Sequence, residues 1–171
     1  MPTKKVSKEV SKEHVETPEI IPHEIDDTQY ITVRNGFHGT LVYISRRTGE
    51  KIVWDEFGAE QDVELRELKY AKNSRKNFFT NNWFMFNEED SWVLKYLGVD
   101  RFYKNAIGID GFDNIFKMKP RELEKAIAAL SAGQKKSVAY RAYELIAEKK
   151  IDSLSVIETL ERALGIQLME K

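Results

Sequence analysis

Residues 40–54 read TLVYISRRTGEKIVW, and this stretch decides the fold. Two apolar, β-prone runs, at residues 41–44 and 52–54, flank a polar tip of Arg46, Arg47, Thr48, Gly49 and Glu50. That pattern predicts a β-hairpin. Gly49 is the residue suited to positive φ, as in a type I turn closed by a G1 bulge. The first strand is apolar on both sides, with Leu41 and Tyr43 on one and Val42 and Ile44 on the other. Such a strand is expected to be covered on both faces, inside a sandwich, a small barrel or a helix-capped sheet. Contacts with other molecules would then fall to the tip and to the adjoining turn of Asp55, Glu56, Phe57 and Gly58.

Upstream, residues 30–34 alternate cleanly, which predicts a strand with Ile31 and Val33 inward. Asn35 and Gly36 signal a turn. Downstream, residues 61–65 suit a fourth short strand. From about residue 64 the period becomes helical, with Leu65, Leu68 and Ala71 on one face. Residues 83–86, WFMF, read as one more strand. The expectation is an α+β chain: a small antiparallel β-domain over residues 28–87 with an inserted helix, for which an SH3-like barrel is a compatible closure.

Residues 88–171 read as a helical module. Asn87 and three acidic residues open a helix carrying Val93, Leu94 and Leu97, with Gly98 as its stop. Apolar residues in 107–119 predict a connection that packs down. Pro120 starts a helix with Leu123, Ile127 and Leu130 on one face. Ser131 and Gln134 have capping-box spacing for the next helix. Asp152 and Ser153 precede a last one that ends at Gly165. Short turns make these three helices neighbours. Residues 1–27 alternate Lys and Glu, contain Pro18 and Pro22, and have the composition of a disordered arm. The alternative is an extended arm that orders against a neighbouring subunit through Ile20, Ile21 and Ile25.

The 171 residues carry 27 basic and 28 acidic side chains, so no global field favours nucleic acid or a membrane surface. No apolar run approaches the roughly 18 residues of a membrane helix. The start of the chain has no apolar core of the kind a secretory signal needs. With no cysteine there are no disulfides and no thiolate metal site or nucleophile. His14, His23 and His38 match no metal spacing. Residues 110–114, DGFDN, have the composition of a calcium loop without its order. There is no P-loop, dinucleotide fingerprint or nucleophile elbow. Asp55, Glu56 and Glu60 gather around Trp54 and Phe57, but acidic loop residues are common, and no catalytic residue or cofactor is expected.

Two stretches are locally basic. Residues 64–76 hold Arg66, Lys69, Lys72, Arg75 and Lys76 against two acids. Residues 134–150 hold Lys135, Lys136, Arg141, Lys149 and Lys150, again against two. A basic middle helix among three could serve as a nucleic-acid reader. The competing reading is an ordinary charged, solvated face. The aromatics dense between Trp54 and Trp92 are mostly core, and any left exposed would mark a protein–protein patch.

The run LVYISRRTGEKIVWDEFGAEQDVELRELKYAKNSRKNFFTNNWFMF at residues 41–86 resembles short virion structural proteins of tailed bacteriophages and prophages of Firmicutes. So do YLGVDRFYKNAI at 96–107 and LSAGQKKSVAYRAYELI at 130–146. The resemblance starts near residue 32 and carries no catalytic or ligand motif. It implies a non-enzymatic virion or assembly component, made in the host cytoplasm and incorporated in the particle. Its partners would be other phage structural proteins, with itself as a homo-oligomer among them. The residues expected to dock are Arg46, Arg47, Thr48, Glu50, Phe57, Ile20, Ile21 and Ile25. The alternative is a phage-encoded nucleic-acid-binding regulator using Arg66, Lys69, Lys72, Arg75, Lys76, Lys135, Lys136 and Arg141.

Overall fold

A computed structural model describes residues 25–170. Alternating apolar residues form strand β1 (Tyr30–Asn35), which buries Ile31 and Val33 as expected. The hairpin follows as β2 (Leu41–Ile44) and β3 (Lys51–Trp54), in the register Leu41↔Trp54 through Ile44↔Lys51. Gly49 has φ 78° and donates its N–H to Ser45 O, closing the tip. Strand β4 (Glu60–Glu64) then pairs with β1, and helix α1 (Leu65–Ser74) buries Leu65, Leu68 and Ala71. A short helix α2 (Asn77–Thr80) leads to β5 (Phe84–Phe86) on the other side of β1.

The sheets are therefore two, in the orders β4-β1-β5 and β2-β3, and no closed barrel forms among the described residues. Closure fails because β1 spends both of its edges on β4 and β5. The hairpin meets this sheet through side chains instead: Trp54 Nε1 donates to Val33 O, and Gln61 Nε2 donates to Val53 O. Trp54 is fully buried with Tyr43, Phe79 and Phe84. A buried indole of this kind removes most of its surface from water and still satisfies its one donor.

A 3-10 turn at Glu88–Asp90 precedes α3 (Trp92–Leu97), whose Gly98 stop is left-handed as expected. α3 packs on the first core, which reaches as far as Tyr103. The second core takes in Ile107 and the segments after it. Val93, Leu97 and Val99, beyond residue 87, belong to the first core, while Phe57 of the β-rich part packs on the second.

The connection packs down through Phe112, Ile115 and Phe116 in a 3-10 segment, Phe112–Lys117. Helices α4 (Pro120–Ala128), α5 (Ala132–Ala147) and α6 (Leu154–Leu164) follow, with α6 against both of the others. Ser131 accepts the Gln134 N–H, which is half of the expected capping box. The other half is diverted. Gln134 is buried, and its amide clasps both backbone groups of Ile107 at 2.8 Å.

Small residues and amides fix the loops around β1 and join them to α5. Asn35, fully buried, donates to Gly39 O and Glu56 O and accepts from Phe37 N–H, tying two loops to β1. A Cβ on Gly36 would lie 2.2 Å from Asn82 O, and one on Gly133 would lie 2.2 Å from Asn81 O. The 81–82 turn is thus pinched between β1 and α5. Ser137 Oγ donates to Gly36 O across the same seam.

Candidate docking surface

The hairpin is covered on one face only, which corrects the expectation of two. Leu41 and Tyr43 are buried, while Val42 is 39% and Ile44 is 47% exposed. The alternation that made β2 look doubly buried arises because its outer residues are apolar without being packed. Val53 stands opposite Val42 and is half-buried, so three aliphatic side chains share the outer face. A two-stranded sheet carries little on its own. Its stability comes from the inner face and from one polar anchor.

That anchor is Glu67 on α1, buried beneath the tip. Tyr43 donates to its Oε1 at 2.7 Å, and Arg47 Nε and Nη2 donate to its Oε2 at 3.0 and 2.8 Å. Burial by itself would raise the Glu67 carboxyl. Hydrogen bonds from Ser45, Tyr43 and Arg47 outweigh it and hold the group below its ordinary value. Burial and the same carboxylate push the Tyr43 phenol upward. Ser45, also buried, accepts from the N–H groups of Arg47 and Thr48. Neither Ser45 nor Glu67 was singled out from sequence. A buried acid on an apolar helix face was the available signal, since Glu67 lies between Leu65 and Leu68 and needs a partner.

The tip residues therefore divide. Arg46 is exposed, whereas Arg47 is spent on Glu67 and does not belong to a free tip. Thr48 Oγ1 accepts the Glu50 N–H and rigidifies the turn. Phe57 is half-buried and stacks on His38 with ring centroids 3.9 Å apart, with Phe112 tilted against His38 and edge-on to Phe57. It seals the seam between the two parts and is not an exposed anchor. Ile25 packs against the chain's own first core and Asp27 pairs with Lys69, so the end of the expected arm is docked on its own chain, while Ile20, Ile21 and the rest of the arm to residue 24 lie outside the described residues.

The seam opens into a cleft of about 580 Å³ lined by Thr40, Asp55, Glu56, Asp113, Arg141 and Glu144. Arg141 is clamped there, donating to both Asp113 oxygens at 2.9 and 2.7 Å and to Glu144 at 3.0 Å. These bonds raise the guanidinium and hold the Asp113 carboxyl below its usual range. The His38 Nδ1 is shielded from solvent with no partner, and burial keeps its imidazole below its ordinary value. Among the described residues no three His, Asp or Glu side chains form a metal cluster.

Three of the eight basic residues of the nucleic-acid reading are paired within the chain, Arg141 among them. Arg66 pairs with Glu64, and Lys69 pairs with Asp27 at 3.0 Å. Arg75 is half-buried, and Lys76 lies 5.5 Å over the Phe102 ring. Lys72 is half-buried, while Lys136 is exposed on another helix beside half-buried Lys135. They form no single stripe with Arg141, which is already bonded. No helix among the described residues is long and apolar enough to cross a membrane. Compared with protein-family models, curated proteins and solved structures, the chain shows no match.

Proposed function

We propose that the chain is a non-enzymatic docking subunit of a tailed-phage particle, as its resemblance to phage virion proteins implies. The outer face of the β2–β3 hairpin is its contact surface. The observation that carries this reading is the one-sided coverage of the hairpin. Val42, Ile44 and Val53 form an aliphatic strip on a rigid two-stranded arm whose inner side is fixed by Trp54 and Glu67. An apolar strip bordered by Arg46 and Lys51 has the polar-rimmed character of a protein interface. The pairing of Arg66, Lys69 and Arg141 within the chain supports docking over the nucleic-acid reading.

Quantitative mass spectrometry of purified particles of the phage that encodes the chain tests the proposal. Stoichiometric presence is expected. Presence in the lysate with absence from particles overturns it. A gel-shift titration against salt tests the other reading: binding that falls steeply with salt would establish nucleic acid as the partner.

A further inference from the structure

The hairpin has an open edge as well as an uncovered face. Ser45 donates its N–H to Glu50 O at 2.9 Å, which makes these two a hydrogen-bonded pair across the hairpin. Bonded and non-bonded pairs alternate along an antiparallel ladder. In the register of β2 and β3, Tyr43 with Ile52 and Leu41 with Trp54 are then bonded pairs, and Ile44 with Lys51 and Val42 with Val53 are not. The backbone groups of Val42 and Ile44 therefore point away from β3. Val53 obeys the same alternation on the other strand, its carbonyl turned outward to accept Gln61 Nε2 at 2.9 Å. β2 has a strand neighbour on one side only. Among the described residues nothing bonds to the N–H or carbonyl of Val42 or Ile44.

An uncovered sheet edge is a template for another chain, and proteins blunt such edges with charge, proline or a covering group. The other edges of this chain are blunted. Tyr103 Oη donates to Phe84 O on β5 at 2.7 Å, Gln61 caps Val53 on β3, and β4 carries exposed Glu60 and Asp62. Residues 41–44, LVYI, hold neither charge nor proline. Val42 and Ile44 thus present two N–H groups, two carbonyls and two exposed aliphatic side chains in one place.

We infer that the open edge of β2 takes an extended strand of a partner protein in the particle, which joins the hairpin as a third strand. Backbone groups that face outward at every second residue are matched by another extended backbone. The strand's alternate residues are apolar, because on the outer face they continue the strip of Val42, Ile44 and Val53. A second copy of the chain is a poor occupant by size, since β2 is four residues long and four against four bury far less than the roughly 1,200 Å² of a stable interface. A partner seated on the outer face reaches the edge as well, because the same two residues, Val42 and Ile44, make both. The inference rests on the docking reading and names how the partner on that face is held.

Proline separates the edge from the face. V42P and I44P each remove an N–H that points to the open edge, leave the ladder to β3 intact and keep an apolar side chain. Quantitative mass spectrometry of purified particles compares them with the wild type, and circular dichroism melts establish that each is folded. Each is expected to be depleted from particles at least about fivefold, the effect of one lost hydrogen bond. A folded proline variant incorporated at the wild-type level overturns the added strand and leaves docking by the face standing. Absence of the wild-type chain from particles overturns the docking reading and this inference with it. Hydrogen exchange of the wild type serves where a proline variant does not fold. The Val42 and Ile44 amides are expected to exchange as open amides in the free chain and at least about tenfold more slowly in particles. Unchanged exchange overturns the inference. So does self-association of the purified chain that V42P abolishes, which would give the edge to a second copy.

Discussion

Arg47 at the hairpin tip and Glu67 on α1 are joined by two hydrogen bonds, Nη2 to Oε2 at 2.8 Å and Nε to the same oxygen at 3.0 Å. With Tyr43 on the other carboxylate oxygen, they fasten the inner face of the hairpin to the helix beneath it. That attachment lets the outer face stand free without collapsing.

Replacing Glu67 by Gln keeps its size and removes its charge. The Arg47 contact loses its charge assistance and the Tyr43 hydroxyl keeps one acceptor. Because Arg47 is partly exposed, the loss is expected to be about 1–2 kcal/mol. Thermal melts should show a fall of about 2–4 °C per kcal/mol for a chain of this size. An unchanged melting temperature would contradict the anchoring role.

Acid should weaken the fold in two separable windows. Burial holds His38 below its ordinary 6.5, although Glu144 and Asp113 act against it and Arg141 with it. The folded state then binds fewer protons than the unfolded one, so stability is full above about pH 6.5 and declines as pH falls toward the depressed value. Glu67 is likewise depressed below 4.5. Its contribution is complete above the unfolded value and is lost as pH falls through the folded one. Urea midpoints measured against pH should show both declines. His38→Phe, which keeps an aromatic ring against Phe57, should remove only the upper one.

Two glycines should respond differently to alanine. At Gly36 a Cβ would strike Asn82 O at 2.2 Å and Met85 Cγ at 2.7 Å, forcing β1 from the 81–82 turn. A loss of about 2–3 kcal/mol is expected. At Gly49 nothing lies within 4 Å, and only φ 78° opposes the change. There a loss of about 1 kcal/mol is expected. Denaturant titration of G36A and G49A gives the comparison, and equal losses would contradict the close packing at Gly36.

Gln134→Ala strips both backbone groups of Ile107 of their partners. Leaving two shielded polar groups unpaired should destabilise the chain by about 2–4 kcal/mol. Amide hydrogen exchange should rise first at Ile107, whose N–H donates to the Gln134 carbonyl.

The hairpin, the α1 face and the last three helices were legible because each is written in local chemistry. Gly49 closes the turn, and Leu65, Leu68, Leu123 and Ile127 follow helical spacing. The helix stops at Gly98 and Gly165 were legible for the same reason. What period alone misses is which apolar face meets a neighbour. Val42 and Ile44 alternate as Leu41 and Tyr43 do, yet only the latter pair faces Trp54 and Phe84. The roles of Asn35, Glu67 and Gln134 were hidden because their partners are far along the chain. A turn residue, a surface acid and a capping residue each became a buried junction once Glu56, Tyr43 and Ile107 were brought beside them.

Docking through the uncovered hairpin face is the proposed function. Its most direct measurement compares particles assembled with the wild-type chain and with V42S/I44S, by quantitative mass spectrometry after purification. Both residues are exposed, so the variant should fold with a near-native melting temperature. It is expected to stay in the lysate and to be depleted at least about tenfold from particles, the loss expected from removing two aliphatic side chains from an interface. A folded variant incorporated at the wild-type level would contradict docking through this face.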